Sequence, residues 1–332
     1  MIINVELREN SYNIVIERGA LNKFNELIST DRKVLIVTDS GVPAQYAESV
    51  ARNVKDGHIV TIPQGESSKS IDNLQFLCKK MLELGFTRKD CVVAVGGGVV
   101  GDLAGFAASV YMRGIDFYNV PTTVLSQVDS SVGGKVAVNF EGVKNILGAF
   151  YQPKMVIIDP DVLDTLDKRQ ISNGLAEAVK MGLTSDLELF ELFEKDDPYQ
   201  FIDEIIARSI SIKKHIVELD EKESNLRKVL NFGHTVGHGF ESEQIGSLLH
   251  GECVALGMLF MCSDRVKERL IPVLQSLQLP THIDFDSSKV LSAIAHDKKS
   301  TNSGISVVFV PKIGEYLLKE MSLQEIEQLI RE

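Results

Sequence analysis

Histidines cluster in one segment of the chain, residues 231–252, which reads NFGHTVGHGFESEQIGSLLHGE. Three of the seven histidines lie here, at His234, His238 and His250. The first two are four residues apart in a helical pattern, so both would lie on one face of the helix. Single histidines on helices are usually solvated or hydrogen-bonded, but three this close, flanked by glycines that allow close approach to the backbone, indicate a binding site. Because neutral imidazoles suit zinc, the segment predicts a metal site.

A carboxylate and an amine lie one helical turn apart in the segment NGLAEAVKMG, at Glu177 and Lys180. This spacing puts both side chains on the same face of a helix. On a surface they would form an ion pair of little consequence for stability. Their neighbours are small or apolar, which favours a buried setting, and a buried carboxylate needs a partner or a metal. Further along the chain, Lys213, Arg227 and Asn231 extend this polar set to the histidine segment.

A glycine-rich turn follows the predicted strand CVVAV, residues 91–95, and precedes a helical pattern. Gly96, Gly98 and Gly101 satisfy the spacing GxGxxG, and the backbone N–H groups of such a helix start favour a pyrophosphate. Glycines in such turns also serve packing, and the next strand ends in valine and proline where a ribose-binding acidic residue would be expected. The turn therefore favours a nucleotide site that differs from the ordinary dinucleotide fingerprint.

A second candidate for phosphate binding is the segment 128–145, which is rich in glycine and lysine and has few helix signals. It contains Asp129, Lys135, Lys144 and Asn145. Two lysines and an asparagine on a glycine-rich backbone could bind a phosphate group. The alternative is a solvated loop with ordinary surface lysines.

The composition is that of an acidic globular protein: 332 residues, 44% hydrophobic, 24% charged, with a formal net charge of −11. This length is sufficient for two domains. The acidic balance argues against a general nucleic-acid or anionic-membrane binder, which needs a positive field. The four cysteines are widely spaced, so neither a disulfide framework nor a cysteine-rich zinc site is expected. With no evident signal peptide or membrane span, a cytoplasmic protein is expected.

The first half of the chain alternates strands with helices, which predicts a parallel sheet covered by helices. Ligands of such sheets lie at the carboxyl ends of the strands, where Asp39, Glu66 and residues 96–102 fall. After residue 160 the pattern becomes helical, and we place a domain boundary near residue 165. The predicted strands are 33–41, 58–66, 91–95, 116–125 and 155–160, with hairpins at 2–16 and 305–321; the predicted helices include 70–84, 163–194, 200–223, 226–241, 248–269 and 287–296, with a last helix from residue 323.

Several long motifs follow one another along the chain: GGGVVGDLAGFAAS, YMRGI, VPTTVLSQVDSSVGGKVAVN, KNILGAFYQP, GLAEAVKMG, NFGHTVGHGFE and HGECVALGM. With these motifs the sequence resembles the 3-dehydroquinate synthases, sugar-phosphate cyclases of the shikimate pathway, from about residue 33 to residue 311. The resemblance implies a Rossmann-like, NAD-binding α/β domain with a parallel sheet at residues 1–165. It also implies a mainly helical metal- and substrate-binding domain at residues 166–332, and a kinship with metal-dependent polyol dehydrogenases.

The resemblance assigns a zinc or cobalt ion to Glu177, His234 and His250, which differs from the pair His234 and His238 that spacing alone would favour. It places His238 at the phosphate of the substrate. It further implies that Asp129 and Lys180 hold ring hydroxyls, that Lys213 and Arg227 bind a carboxylate, and that Lys135, Asn145, Asn231 and Lys298 (rather than Lys299) contact the phosphate. Arg113 of the partner subunit is implied at the same phosphate, so a homodimer is expected.

The resemblance also assigns the NAD contacts. Two departures from the family pattern, Val136 where threonine is common and Lys222 where arginine is frequent, touch none of the assigned residues. The implied NAD contacts are Asp39, Glu66, Lys69, Gly97, Gly98, Asp102, Thr122, Thr123, Lys144, Thr165 and Leu166.

The implied reaction converts 3-deoxy-D-arabino-heptulosonate 7-phosphate into 3-dehydroquinate and phosphate, which is carbon–oxygen lyase chemistry. A ring hydroxyl is transiently oxidised by NAD, phosphate leaves by elimination, the hydride returns, and an intramolecular aldol step closes the carbocycle. Three alternatives remain open: a metal-dependent NAD polyol dehydrogenase, another sugar-phosphate cyclase with a neutral substrate, and a non-catalytic nucleotide or metal sensor. A sensor would not need the polar set that runs from Asp129 to Arg227.

Overall fold

A computed structural model describes residues 1–223, 225–244, 246–297 and 304–331. The chain forms two compact units, Met1–Leu166 and Asp167–Glu332. Among the described residues, no helix combines the length and the apolar character that crossing a bilayer requires.

The first unit is built on a seven-stranded sheet in which every neighbouring pair is parallel except β1 and β2. The predicted parallel sheet is therefore confirmed, and its strand order is β1-β2-β9-β6-β5-β3-β4. The elements of this unit are β1 (Ile2–Val5), β2 (Tyr12–Ile16), α1 (Phe24–Leu27), β3 (Lys33–Asp39), α2 (Ala44–Arg52), β4 (Asp56–Ile62), α3 (Ile71–Glu83), β5 (Cys91–Gly96), α4 (Gly98–Val110), β6 (Asp116–Pro121), β7 (Lys135–Phe140), β8 (Val143–Phe150) and β9 (Met155–Ile158).

The central strands are apolar along their whole length because helices cover both faces of the sheet. All six residues of β5 are buried, and so are six of the seven residues of β3. On one face, Leu77 of α3 and Leu103 of α4 pack in a single cluster with Val92 and Ala94 of β5. This packing fixes the carboxyl ends of the strands, where the glycine turn leads from β5 into α4.

Strands β7 and β8 form a separate antiparallel hairpin over a segment for which the sequence predicts irregular, glycine-rich chain. Val136 and Val138 of β7 are buried, whereas nearly all of β8 is exposed. The hairpin packs closely on α4, since a Cβ at Gly105 would lie 2.5 Å from a methyl group of Val136. The sequence does not indicate this hairpin, because three successive residues of β7 are buried and β8 is exposed, so neither strand shows the alternation of a half-buried strand.

The second unit is mainly helical, as predicted, but three of the long predicted helices are interrupted by local signals. Asp186 caps a new helix by accepting a hydrogen bond from Leu189 N at 3.1 Å, Gly233 adopts a left-handed φ of 77°, and Ser263 caps a further helix. The elements are α5 (Lys168–Ser185), α6 (Leu187–Phe193), α7 (Ile202–Leu219), α8 (His234–Glu243), α9 (His250–Phe260), α10 (Asp264–Ser276), α11 (Ser287–Asp297), β10 (Ile305–Lys312), β11 (Glu315–Met321) and α12 (Leu323–Arg331).

Helices α5, α8 and α9 approach one another closely because glycines lie where they touch. A Cβ at Gly257 of α9 would lie 1.9 Å from the carbonyl oxygen of Gly233, just before α8. A Cβ at Gly251 would lie 1.9 Å from the carbonyl oxygen of Asn173 on α5. No side chain fits at these positions, so the backbones can pack at distances that bring residues of three helices to one point.

Candidate metal and nucleotide sites

Glu177 of α5, His234 of α8 and His250 of α9 meet inside the second unit. The carboxylate is buried, with 1% of its side chain exposed, whereas His234 and His250 are 13% and 31% exposed. Glu177 Oε1 lies 3.6 Å from Nε2 of His234 and 3.6 Å from Nε2 of His250. One carboxylate oxygen and two ring nitrogens therefore converge on a common point.

The remaining nitrogen of each imidazole faces a hydrogen-bond acceptor. His234 Nδ1 lies 3.1 Å from the carbonyl oxygen of Phe232, and His250 Nδ1 lies 3.2 Å from Oε2 of Glu241. An acceptor at Nδ1 favours the tautomer that carries its proton there. The Nε2 atoms of both rings then face Glu177.

This arrangement fits a divalent metal ion such as zinc or cobalt. Ligands about 2.0–2.1 Å from a tetrahedral zinc are separated from one another by roughly 3.3–3.4 Å. The 3.6 Å separations from Glu177 Oε1 to the two Nε2 atoms are close to this value. That oxygen is buried and accepts no hydrogen bond, as is usual for a group that ligates a cation. Three protein ligands would leave a fourth position open for substrate, which is the pattern of catalytic sites.

The charge of Lys180 dominates the surroundings of Glu177. Both side chains are buried and form an ion pair, and Lys180 Nζ also donates to the carbonyl oxygen of Leu230 at 2.7 Å. Burial raises the pKa of Glu177, but the positive charge of Lys180 and the histidines outweigh it and hold that pKa well below its usual range. The carboxylate is therefore ionised, as a metal ligand must be.

The two imidazoles respond differently to their settings. Burial and the charge of Lys180 lower the pKa of His234 to about 3, so this ring is neutral at physiological pH. For His250, burial lowers the pKa, but the nearby carboxylates of Glu177 and Glu241 outweigh it and raise the pKa to about 9. A cation bound at Nε2 of His250 would displace that proton.

The first turn of α9, which carries His250, is held against α5 by residues that the sequence did not single out. Arg169 donates to both carboxylate oxygens of Glu252, at 2.6 and 2.8 Å, and Gly251 N donates to Asn173 Oδ1 at 2.6 Å. Arg169, Asn173 and Glu177 recur every four residues along one face of α5. That spacing is the signal in the sequence that could have identified them.

The residues predicted at the carboxylate and phosphate of a substrate are divided between the two units. In the second unit, Lys213 and Arg227 are buried, with 5% and 3% of their surface exposed. Arg227 Nη1 donates to the carbonyl oxygen of Glu221 at 2.8 Å. The ring of His238 lies 5.3 Å from that of His234, between centroids. Lys298 and Lys299 lie outside the described residues.

In the first unit, the predicted nucleotide residues form two groups. Asp39 borders a cavity of about 540 Å³ at the end of β3 and accepts a hydrogen bond from Gly41 N at 2.7 Å. Burial raises the pKa of Asp39, while backbone N–H groups of Gly41 and Val42 oppose the shift. Thr165 contacts the hydroxyl of Tyr46 on α2 at 2.8 Å between oxygens, and Leu166 N donates to Leu163 O at 2.9 Å.

The second group surrounds Lys69, which is buried and contacts both the carboxylate of Asp102 and the side-chain oxygen of Asn145. Asn139, a residue not identified from the sequence, links Glu66 to this group. Its Nδ2 donates to Glu66 Oε1 at 2.8 Å, and its backbone N donates to Lys69 O at 2.8 Å. Gly97 and Gly98 begin α4, and Thr122 N donates to Gly96 O at 2.9 Å beside them.

The remaining predicted residues of this unit do not share one set of contacts. Thr123 hydrogen-bonds Ser126 at 2.7 Å between oxygens, and Asp129 lies in a single turn of π-helix at Ser126–Ser130. Lys135, Lys144 and Arg113 are exposed, the first two on the hairpin and the third in a turn after α4.

The chain thus combines a parallel-sheet unit with a helical unit that carries a Glu-His-His cluster. Family models described as 3-dehydroquinate synthase N-terminal and C-terminal match residues 59–173 and 174–300. The 3-dehydroquinate synthase of Thermoanaerobacter pseudethanolicus is 42% identical over 99% of each chain, and that of Clostridium kluyveri is 38% identical over 98% of this chain and 96% of the relative. The chain belongs to the 3-dehydroquinate synthase family.

Solved structures agree with this assignment. A 2-deoxy-scyllo-inosose synthase complexed with carbaglucose-6-phosphate, NAD⁺ and Co²⁺ superposes with a TM-score of 0.91 at 26% identity, covering 100% of this chain and 99% of the other. A 2-epi-5-epi-valiolone synthase from Streptomyces hygroscopicus with NAD⁺ and Zn²⁺ gives 0.89 at 28% identity, covering 98% and 97%. A probable glycerol dehydrogenase from Sinorhizobium meliloti, 16% identical with a TM-score of 0.64 over 96% and 95%, shares the fold alone.

Proposed function

We propose that this protein is an NAD- and metal-dependent 3-dehydroquinate synthase, which converts 3-deoxy-D-arabino-heptulosonate 7-phosphate into 3-dehydroquinate and phosphate as a carbon–oxygen lyase. The family assignment gives the reaction, and one observation carries its chemistry: the buried Glu177 carboxylate and two Nε2 atoms converge at distances suited to a divalent ion. The neighbours with NAD⁺ and Co²⁺ or Zn²⁺ support the same cofactors here.

When bound, NAD would exchange a hydride with the ring carbon and the metal would polarise the adjoining hydroxyl. Glu177, His234 and His250 would hold the ion. Lys180, a buried cation beside Glu177, would stabilise negative charge that develops on a ring hydroxyl. Asp129 would orient a second hydroxyl and accept its hydrogen bond.

Anion recognition would come from further basic and amide side chains. The buried Lys213 and Arg227 would bind the substrate carboxylate, because cationic side chains form charge-assisted hydrogen bonds with carboxylates. The proposed phosphate contacts are Lys135, Asn145, Asn231, His238 and Lys298, with Arg113 of the partner subunit. No side chain is assigned as the base for phosphate elimination; we infer that the substrate phosphate itself takes that proton.

The burial of two basic side chains, Lys213 and Arg227, supports a substrate that carries a carboxylate. A cyclase for a neutral sugar phosphate would offer these two buried cations no substrate carboxylate to bind. A polyol dehydrogenase would likewise have no use for a carboxylate site. The proposed nucleotide contacts are the residues from Asp39 to Leu166 that the family resemblance implies. Asn139 would support one of them, Glu66, through its hydrogen bond. The homodimer and the cytoplasmic location stay predictions.

The test supplies the heptulosonate phosphate with NAD⁺ and zinc or cobalt, and measures released phosphate, 3-dehydroquinate and absorbance of NADH. We expect equal amounts of both products and a flat NADH signal in the steady state, because oxidation and reduction occur on one bound substrate. Stoichiometric accumulation of NADH would instead identify a dehydrogenase. Turnover of sedoheptulose 7-phosphate or glucose 6-phosphate at a comparable rate would identify a cyclase for neutral substrates.

A further inference from the structure

His250 is the most exposed of the three proposed metal ligands and occupies the first position of α9. A ligand at a helix terminus has few neighbours to fix its ring, so its orientation depends on the contact that Nδ1 makes. That contact is Oε2 of Glu241, at 3.2 Å. The opposite ring nitrogen, Nε2, faces Glu177 Oε1 at 3.6 Å.

Glu241 belongs to the same face of α8 as two of the histidines. His234, His238 and Glu241 are spaced by four and three residues, which aligns their side chains along the helix. Helix α8 therefore supplies one metal ligand directly, through His234, and reaches the ligand of α9 through the carboxylate of Glu241. Side-chain atoms of His238, Glu241 and His250 lie within 4.8 Å of one another.

We propose that Glu241 is a positioning residue for the metal: its carboxylate accepts the Nδ1–H of His250 and so keeps the Nε2 lone pair directed at the ion. This inference rests on the proposed metal site. A histidine ligand whose other N–H is held by a carboxylate has a fixed tautomer and ring orientation and is a stronger donor. His234 obtains the same tautomer from the neutral carbonyl of Phe232, so the added negative charge is specific to His250.

The competing arrangement has Glu241 as a ligand of a second ion together with His238 and His250. It would require His250 to offer the Nδ1 lone pair to that ion. A neutral imidazole has one lone-pair nitrogen and one N–H, so it cannot bind a cation through both nitrogens. With Nε2 directed at Glu177 and His234, Nδ1 carries the proton, and Glu241 is its acceptor.

The test is zinc affinity, measured without NAD or substrate by competition with a chromogenic chelator. Three variants are compared with the wild type: Glu241→Ala, Glu241→Gln and, as the matched control on the same helix, Glu243→Gln. Glu243 accepts hydrogen bonds from Gln244 Nε2 and from the backbone N of Asp286, and within the described part of the chain it contacts no histidine. We expect about 10–100-fold weaker zinc binding for Glu241→Ala and an unchanged affinity for the control.

Glu241→Gln separates the orientation of the His250 ring from the effect of the negative charge of Glu241. Its side-chain oxygen can still accept the Nδ1–H of His250, so we expect it to recover most of the affinity that alanine loses. In ¹⁵N NMR of the zinc-loaded protein, His250 should carry its proton on Nδ1 in the wild type and the glutamine variant, with loss of that protected N–H signal in Glu241→Ala.

Wild-type zinc affinity in Glu241→Ala would overturn the inference and leave the proposed reaction intact, since Glu177, His234 and His250 would still bind the ion. Two zinc ions per wild-type chain, with one lost in Glu241→Ala, would also overturn it and make Glu241 a ligand. No zinc binding by the wild type would refute the metal site itself, and the positioning role with it.

Discussion

At the scale of single residues, the metal cluster combines three ligands whose surroundings differ. Glu177 is kept ionised by the buried Lys180, His234 is kept neutral by burial, and His250 is the ligand nearest to solvent. His250, at the first position of α9, is therefore the ligand whose removal should disrupt the metal site with the least disturbance of the core.

His250→Ala should lower the metal content of the purified protein and abolish release of phosphate, because one of three ligands is removed. Metal content is measured by elemental analysis after dialysis against a weak chelator. His215→Ala is the control, since His215 is an exposed histidine of α7. Full metal occupancy with near-normal turnover in His250→Ala would contradict the assignment.

Arg227→Ala should reduce kcat/KM for the heptulosonate phosphate by two or more orders of magnitude. This corresponds to the ~3 kcal/mol expected when a buried charge loses its partner. Steady-state kinetics measure the effect, with Arg265→Ala as control because Arg265 is exposed on α10. A loss of less than threefold would show that Arg227 does not bind the carboxylate.

At the scale of elements, the cluster depends on how closely α5, α8 and α9 pack. Two backbone contacts leave no space for a methyl group, at Gly251 against Asn173 and at Gly257 against Gly233. The ion pair of Arg169 with Glu252 holds the first turn of α9 in a fixed orientation against α5. The metal geometry is therefore a property of the three backbones as much as of the ligands.

Gly257→Ala should lower the free energy of unfolding by about 1–3 kcal/mol, the usual consequence of overpacking, and weaken zinc binding as α8 and α9 move apart. Urea denaturation and chelator competition measure the two effects. Gly41→Ala is the control, because the three atoms nearest to a Cβ there belong to the side chain of Gln64, which can rotate away. Equal stability of the two variants would show that the helices tolerate the methyl group.

In the first unit, Asp90 joins the start of β3 to the turn before β5. Its carboxylate accepts hydrogen bonds from Lys33 N at 3.0 Å, Thr87 N at 2.5 Å and Thr87 Oγ1 at 2.9 Å. Burial raises the pKa of Asp90, but these hydrogen bonds outweigh it and lower that pKa below its usual value. The ionised carboxylate is therefore more stable in the folded than in the unfolded chain.

Asp90→Asn should reduce stability at pH 7 by about 1–2 kcal/mol, because an amide replaces acceptors that face N–H groups. The pKa of Asp90 is lower in the folded chain than in the unfolded chain, where it is about 3.9. The stabilisation by its carboxylate is therefore fully present above the unfolded-state pKa and is lost as the pH falls through the folded-state pKa. The difference between wild type and variant should hold from pH 7 to about 4 and narrow below that. Melting temperatures across this range test the prediction; a difference that is constant down to pH 3 would contradict it.

At the scale of the whole molecule, the proposed homodimer would make each active site depend on Arg113 of the partner subunit. Arg113 is exposed in a turn where it and Met112 have left-handed φ values of 71° and 50°. Such a conformation in non-glycine residues is costly and is often found where a side chain has a function. Exposed apolar residues of β8, such as Val143 and Ile146, lie in the same unit.

Mixing Arg113→Ala with Lys180→Ala should restore about a quarter of wild-type activity, since half of randomly mixed dimers are heterodimers and one of their two sites is intact. Subunit exchange is verified by mass spectrometry of differently tagged chains, and phosphate release measures activity. Mixing Arg113→Ala with the double variant is the control, because no intact Arg113 is then present. Absence of recovery after verified exchange would show that Arg113 acts within its own chain.

Local patterns in the sequence were sufficient to predict the parallel sheet, the helical second unit and the residue types that could bind a metal. Strand β5 is apolar at each position because both faces are covered, and the motifs around Glu177 and His234 identify a family on their own. Periodicity and residue type depend on near neighbours in the chain, so they can be recognised without the fold. The hairpin of β7 and β8 was missed because its outer strand is nearly all exposed and shows no alternation.

Contacts between distant segments were decided by tertiary structure. Spacing on one helix would have paired His234 with His238, whereas the fold brings His234 to Glu177 and His250 from two other helices. The contact of Glu241 with His250 forms only when α8 and α9 pack together, and the contacts of Asn173 with Gly251 and of Arg169 with Glu252 form only when α5 packs on α9. The physical reason is that a metal site depends on distances between backbones, and here those distances are set by glycine contacts such as Gly257 on Gly233 that no local pattern encodes.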